Sequence, residues 1–415
     1  MRLPNNLGQL DRLKFLLNDA FVYGMGGSLN QLLALFTFPL LARHFGVEQF
    51  GVIDLLNTSV VLVVTFLVFG QDSAVARFFY DDDNSSRRRQ VVSQSLAFQI
   101  IIFSIVIPIL WFNSELIALK FSLTTNGEQI IKLMILQAPF FVLINFSQSL
   151  LKWTFKRNQY LFISVGSTIF SLIGLLLGLA LFEFDISSLF TLYLMTRVTF
   201  GLLGVYFVRH WLKWPNDFKI LKQMMPFSIP FGLICIAGSF LPVFERSIAL
   251  KYIGAEELGL FAAGAKVALI IGLPIKAFET AWGPLSLSIF KENDATRTYQ
   301  LMLPFFTVLV CCMALFLTAI SEPLLVLLVS DDYKGAGIVV FALSLTKAVQ
   351  AIGGMTGLGL SLAKKSYLKL YSYLLMILIS TLVLPLLSKN FGLAGLAFGS
   401  FIAMVAWAVL ETYLS

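Results

Sequence analysis

The chain alternates long apolar runs with short polar ones from end to end. About twelve of the runs reach the roughly 20 residues that a helix needs to cross a bilayer. They lie near 20–42, 52–77, 91–112, 129–151, 160–182, 187–208, 225–250, 258–283, 299–320, 336–361, 366–388 and 391–413. No polar segment between them exceeds about 20 residues. The pattern predicts an all-α integral membrane protein with about 12 transmembrane helices. The run from Ala20 to Ala42 has neither a short apolar core nor a convincing cleavage site, so it reads as a retained helix rather than a signal peptide.

Composition agrees. Of 415 residues 58% are apolar and 13% charged, and the mean hydropathy is +0.85, which excludes a soluble domain of this size. With both termini placed in the cytoplasm, 19 of the 30 Lys and Arg residues fall in inside segments and 5 in outside loops, the bias expected of cytoplasmic loops. The net charge of +7 is then accounted for by a cytoplasmic rim facing anionic headgroups, with no need for nucleic acid. Reporter fusions near Asn84 and Asn126 are expected to read opposite sides of the membrane. A periplasmic signal from both would overturn this topology.

The pattern also repeats at an offset of 208 residues. Gly46-Val47-Glu48-Gln49-Phe50-Gly51 returns as Gly254-Ala255-Glu256-Glu257-Leu258-Gly259, Tyr23-Gly24 as Phe231-Gly232, and Lys156-Arg157 as Lys364-Lys365. At offset 207, Ser114-Glu115 returns as Ser321-Glu322. The expectation is two six-helix bundles, 1–210 and 227–415, joined by a cytoplasmic linker over 211–226. An even number of crossings gives the halves the same orientation, so their pseudo-two-fold axis runs along the membrane normal. Two such bundles facing a central cavity are the architecture of a transporter.

Charges inside the apolar runs narrow the cargo. Arg197, Arg246, Lys266, Lys276 and Lys347 all lie within predicted helices, with Glu245 and Glu279 as the clear acidic counterparts. Each such charge costs about 2.5–3.5 kcal/mol on insertion scales, so a set of one sign points to a water-filled cavity or an anionic ligand. Arg197, Lys266 and Lys347 are too deep for easy snorkelling. Arg246 lies about a turn from an outer helix end, and Lys276 is three residues from Glu279, a spacing that also suits mutual neutralisation. Asp72, near an inner helix end, suits either pairing with Arg77 or ion coupling, and Glu279 is a second candidate for coupling or gating. Asn30, Gln31, Asn57, Asn145, Gln148 and Gln350 suit sugar hydroxyls and interhelical hydrogen bonds equally.

Catalysis finds little support. The two histidines, His44 and His210, are far apart in sequence, and Cys235, Cys311 and Cys312 lack metal-ligand spacing. The run Gly259–Lys266 departs from a phosphate loop, because Ala265 precedes the lysine and Val267 follows it. The expectation is no enzyme, no cofactor and no metal, with transport driven by an ion gradient (H+ or Na+, left open) or by consumption of product.

The N-terminal residues Tyr23-Gly24, Ser28-Leu29-Asn30, Pro39, Arg43, Glu48-Gln49-Phe50-Gly51 and Asp54-Leu55, followed by Gly70-Gln71-Asp72-Ser73-Ala74-Val75-Ala76-Arg77-Phe78-Phe79, resemble the opening signature of Wzx-type oligosaccharide flippases. These are polysaccharide biosynthesis proteins of the multidrug/oligosaccharidyl-lipid/polysaccharide exporter superfamily. The motifs cover about the first 80 residues, and helix count and half repeat extend the similarity over the whole chain. The resemblance implies a MATE-like fold in the bacterial inner membrane. It also implies translocation of an undecaprenyl-pyrophosphate-linked oligosaccharide, an O-antigen unit or similar, to the periplasmic leaflet, and work alongside polysaccharide polymerase or ligase machinery. A pyrophosphate is a natural partner for Arg forks and Lys ammonium groups. The rival reading is a multidrug or ion-coupled exporter of the same superfamily, although cationic drugs call for buried carboxylates, and Asp19 is the one acid of the first helix.

Overall fold

The computed structural model describes residues 9–82, 84–121, 123, 126–215, 217–289, 295–362 and 366–415. The repeat partner Lys364-Lys365 lies outside the described residues. The regular elements described are all helices. They are α1 (Gln9–Val68), α2 (Gln71–Phe78), α3 (Ser85–Phe112), α4 (Ser114–Lys120), α5 (Gly127–Trp153), α6 (Arg157–Leu181) and α7 (Ile186–Val208), followed by α8 (Lys219–Tyr252), α9 (Ala255–Ala268), α10 (Gly272–Ile289), α11 (Ala295–Leu328), α12 (Gly337–Thr356), α13 (Leu358–Leu362) and α14 (Lys369–Leu414).

Ten helical spans among the described residues are long and apolar enough to cross a membrane. Two of them are double. The 60 residues of α1 are broken at Gly46 (φ 72°, ψ 177°) and the 46 residues of α14 at Gly392 (φ 57°, ψ −135°). At 1.5 Å per residue, 46 residues make about 69 Å of helix, more than twice the roughly 30 Å of a hydrocarbon core. Each therefore supplies two crossings, and the total is twelve. Gly254, 208 residues after Gly46, has nearly the same backbone (φ 103°, ψ 174°) between α8 and α9. That region of backbone space is essentially reserved for glycine, so the sequence repeat reappears as a repeated turn.

Several boundaries differ from the sequence-based expectation. The second apolar run is interrupted at Phe69 (φ 44°) and Gly70 (φ 70°), so 52–77 is not one helix but the end of α1 followed by α2. The eighth is divided by a tight turn at Leu269–Ile271. The helices after Gly46 and Gly254 begin earlier than the apolar runs do, because Glu48-Gln49 and Glu256-Glu257 lie in the first helical turns instead of in loops. That shift places Asp54 two turns inside its helix.

The chain divides into two compact units, 1–37 with 59–236 and 38–58 with 237–415. The first unit is centred on Phe79, Val91, Val92, Leu150, Ile163 and Met224. Asn30 ties α1 to α6 within it, donating to Ser164 Oγ (2.7 Å) and accepting from Thr168 Oγ1 (3.0 Å), so this asparagine serves packing. Gly174 and Gly178 do the same, since a Cβ there would meet Leu192 and Phe184 at 2.4 Å.

The second unit takes in the segment 38–58 from the N-terminal half of the sequence. Buried Tyr333 donates to Ala42 O (3.2 Å) and packs edge-on against Phe50. Burial, together with the neighbouring Asp332 carboxylate, pushes this phenol above its ordinary pKa, which keeps it a donor. Arg43 caps the other side of the segment by donating to Leu327 O (2.8 Å). The glycines of the repeated motif meet here: a Cβ on Gly51 would lie 2.6 Å from Gly259 N, and one on Gly259 would lie 2.0 Å from Val47 O. Two glycine-bearing helices thus cross at backbone contact, the use membrane helices make of small residues. Large apolar side chains such as Ile105, Leu176, Phe316 and Leu382 remain exposed, as a lipid-facing surface requires.

Candidate functional site

The charged centre of the second unit is built from three helices. Asp54 comes from the second leg of α1, Glu245 and Arg246 from α8, and Lys266 from the last turn of α9. Arg246 Nε donates to Asp54 Oδ2 at 2.6 Å, and Lys266 Nζ lies 2.7 Å from Asp54 Oδ1. Arg246 Nη1 also donates to Pro242 O (3.0 Å) and lies 3.6 Å from Glu245 Oε2. The Phe261 ring closes over the guanidinium, with its centroid 5.5 Å away. Asp54 is 2% exposed, Arg246 6% and Glu245 7%, so the charges are removed from solvent and held by one another. An isolated charge in such a place would be prohibitive.

Beside this cluster is a cavity of about 210 Å³, lined by Glu245, Arg246, Lys266, Lys347 and Gln350, with Tyr373 and Trp407 among its apolar walls. Lys347 on α12 hydrogen-bonds Gln350 Oε1 at 3.1 Å and makes no direct ion pair among the described residues. Glu245, Arg246 and Lys276 all act on it through space. Three cations therefore share the site with two carboxylates.

The five cations singled out in the sequence do not form one group. Arg246, Lys266 and Lys347 line the same cavity. Lys276 does not line it, and is exposed on α10 close to the equally exposed Glu279. Arg197 belongs to the first unit, where its guanidinium donates to Gln137 Oε1 (2.5 Å) and lies over the Phe141 ring, 4.3 Å from its centroid. Among the described residues no carboxylate pairs with it.

Two further readings are corrected. The acids that meet the buried cations are Asp54 and Glu245, not Glu245 and Glu279. Asp54 lies in the N-terminal signature and inside the second apolar run, but nothing local marks it as a counter-ion, because Arg246 is 192 positions away. Asp72 is exposed and accepts from Ser73 N (2.8 Å), while Arg77 lies over the Phe227 ring instead of pairing with it. The charge that Asp72 acts on is Lys152. A third buried carboxylate, Glu411, is paired with Lys369 at 3.2 Å and packed against Gly357. Among the described residues no group of His, Cys, Asp and Glu is arranged to hold a metal ion, and the three cysteines are free thiols.

Comparison with known proteins bears on the fold and on the family. Over 95% of its length the chain superimposes on an inward-facing multidrug resistance MATE transporter of the MOP superfamily (TM-score 0.76, 14% identity, 97% of that chain). It superimposes equally on the lipid II flippase MurJ in an inward closed conformation (TM-score 0.75, 16% identity, 87% of that chain). A MOP superfamily transporter from Pyrococcus furiosus, described as having a binding pocket of reverse polarity, matches at TM-score 0.71 with 15% identity over 95% of this chain and 93% of its own. Two Haemophilus influenzae proteins are similar in sequence. One is an uncharacterized membrane protein, 25% identical over 284 residues and 67% of each chain. The other is Lsg locus putative protein 1, 23% identical over 344 residues, 80% of this chain and 81% of its own. The model of the polysaccharide biosynthesis protein family matches residues 16–290. With a twelve-helix fold shared with MOP transporters and a family match over residues 16–290, this chain is a multi-pass membrane protein and belongs to the polysaccharide biosynthesis protein family.

Proposed function

We propose that the protein is a flippase that carries an undecaprenyl-pyrophosphate-linked oligosaccharide, an O-antigen repeat unit or similar, from the cytoplasmic to the periplasmic leaflet of the inner membrane by alternating access, with both termini in the cytoplasm. The observation that carries this reading is the excess of cations in the cavity of the second unit. Arg246 and Lys266 share Asp54, and Lys347 is hydrogen-bonded to the Gln350 amide with no direct ion pair among the described residues. A diphosphate offers Lys347 the anionic partner it lacks and competes with Asp54 and Glu245 for the other two cations. The family match supports the polysaccharide side of the proposal. The excess of positive charge disfavours a cationic drug as cargo.

The test is complementation of a strain whose surface polysaccharide export is blocked. Lys347→Ala removes no ion pair, so it is expected to leave the protein folded in the membrane while lowering surface glycan about tenfold or more, the loss that goes with a charge-assisted hydrogen bond. Arg197→Ala tests whether the isolated guanidinium of the first unit takes part, and Arg197→Lys is expected to retain part of the export through charge without the fork. Undiminished glycan from the folded Lys347→Ala protein would remove the cavity from the mechanism.

A further inference from the structure

Of the six amides brought forward by the sequence, Asn30 and Gln350 are engaged within the protein. Asn145 and Gln148 are not. Both are on α5 in the first unit, partly exposed, and neither makes a hydrogen bond among the described residues.

They belong to a longer stripe. Gln137, Phe141, Asn145, Gln148 and Lys152 follow one another at intervals of four, four, three and four residues, so at 3.6 residues per turn they share one face within an arc of about 80°. The stripe begins near the middle of α5 and rises about 22 Å to its last turn, on the side that the basic bias assigns to the cytoplasm. Its ends are charged and its middle is not. At the deep end Arg197 of α7 donates to Gln137 and lies over the Phe141 ring. At the other end Lys152 is exposed, with its ammonium 5.8 Å from the Tyr160 ring centroid and Asp72 acting on it through space.

Lipid does not suit this face. In hydrocarbon each amide would leave two N–H donors and a carbonyl unpaired, a state that spanning structures avoid; in a water-filled path each keeps water as its partner. Helix packing does not consume the stripe either, because α7 packs on the neighbouring face of α5, where Gly201 and Gly204 come up to Phe140 and Ser147. Amides donate and accept but carry no charge. Between Arg197 and Lys152 the stripe therefore gives an anion no hold and suits a ligand rich in hydroxyls.

Resting on the flippase reading, we propose that this face of α5 is the path of the sugar part of the cargo, with Asn145 and Gln148 exchanging hydrogen bonds with its hydroxyls as it moves from the cytoplasm toward Arg197. The diphosphate is left to the cations of the second unit.

Thiol accessibility tests the path without reference to cargo. With Cys235, Cys311 and Cys312 replaced by serine, Asn145→Cys and Gln148→Cys in inside-out membrane vesicles are expected to react with a charged, membrane-impermeant methanethiosulfonate. The control Ile105→Cys, at a position 58% exposed on the lipid-facing surface, is expected to stay unreactive. A stripe that does not react at either position is dry, and overturns the proposal whatever the protein carries.

In the export-deficient strain, Asn145→Leu and Gln148→Leu are each expected to lower surface glycan about threefold, and the double change about tenfold. Leucine suits a membrane helix, so these variants are expected to fold. Exchanging the amides, Asn145→Gln with Gln148→Asn, is expected to keep most of the export. Native mass spectrometry with undecaprenyl diphosphate, which bears no sugar, separates the two sites: Lys347→Ala is expected to weaken its binding about tenfold, and the double leucine variant to leave it unchanged. Full export from the double leucine variant, or loss of the sugar-free ligand from it, overturns the sugar path alone. Wild-type protein that restores no glycan overturns the flippase reading and this path with it.

Discussion

Replacing Arg246 by alanine is expected to cost about 3–5 kcal/mol of stability, the usual loss when one partner of a buried ion pair is removed. Asp54 would keep Lys266 at 2.7 Å but lose its 2.6 Å bond to the guanidinium, and Glu245 would lose its nearest cation. Asp54→Asn is expected to be at least as harmful, since it leaves two cations facing a neutral amide. The double change Asp54→Asn with Arg246→Ala is expected to cost less than the sum of the two single losses, because the pair is removed together, although Lys266 and Glu245 each lose a partner. Thermal unfolding of the detergent-solubilised variants checks all three. Additive losses in the double variant would show that the two residues are not coupled.

Gly259→Ala is expected to be comparably damaging, although it adds a single methyl group to an apolar helix. The new Cβ would stand 2.0 Å from Val47 O and 2.6 Å from Val47 C, backbone atoms that no side-chain rotation can move. The helices would have to separate, which costs about 3 kcal/mol or more, and the segment carrying Asp54 would shift with them. Gly51→Ala, with its Cβ 2.6 Å from Gly259 N, tests the same crossing from the other side. Gly46→Ala meets no neighbouring atom, but its backbone conformation is one that alanine rarely adopts, so about 1–3 kcal/mol is expected from strain alone. Folded yield measured by size-exclusion of the solubilised protein should fall in the order Gly46→Ala, Gly51→Ala, Gly259→Ala. A Gly259→Ala protein as stable as the parent would mean that the crossing is looser than described.

The family and the number of crossings were legible along the chain because both are written locally. A run of about 20 apolar residues commits itself to the bilayer wherever its neighbours lie, and the motif around Gly46 and Gly254 carries its turn in its own glycines. Lys347 and Lys266 could be picked out for the same reason, since a charge amid apolar residues is visible without a structure. The counter-ion of Lys266, Asp54, could not. Asp54 meets Arg246 across 192 positions, and its burial follows from Glu48 and Gln49 lying in a helical turn, which hydropathy misread as a loop. Arg197 ranked in depth with Lys266 and Lys347, and Lys276 stood beside Arg246, yet Arg197 is held by Gln137 and Phe141 and Lys276 is exposed on α10. Hydropathy assigns a residue to the membrane by the cost of moving its own side chain out of water; which face it occupies, and which charge answers it, depends on helix rotation and crossing, and those are fixed only when glycines such as Gly51 and Gly259 let two backbones touch.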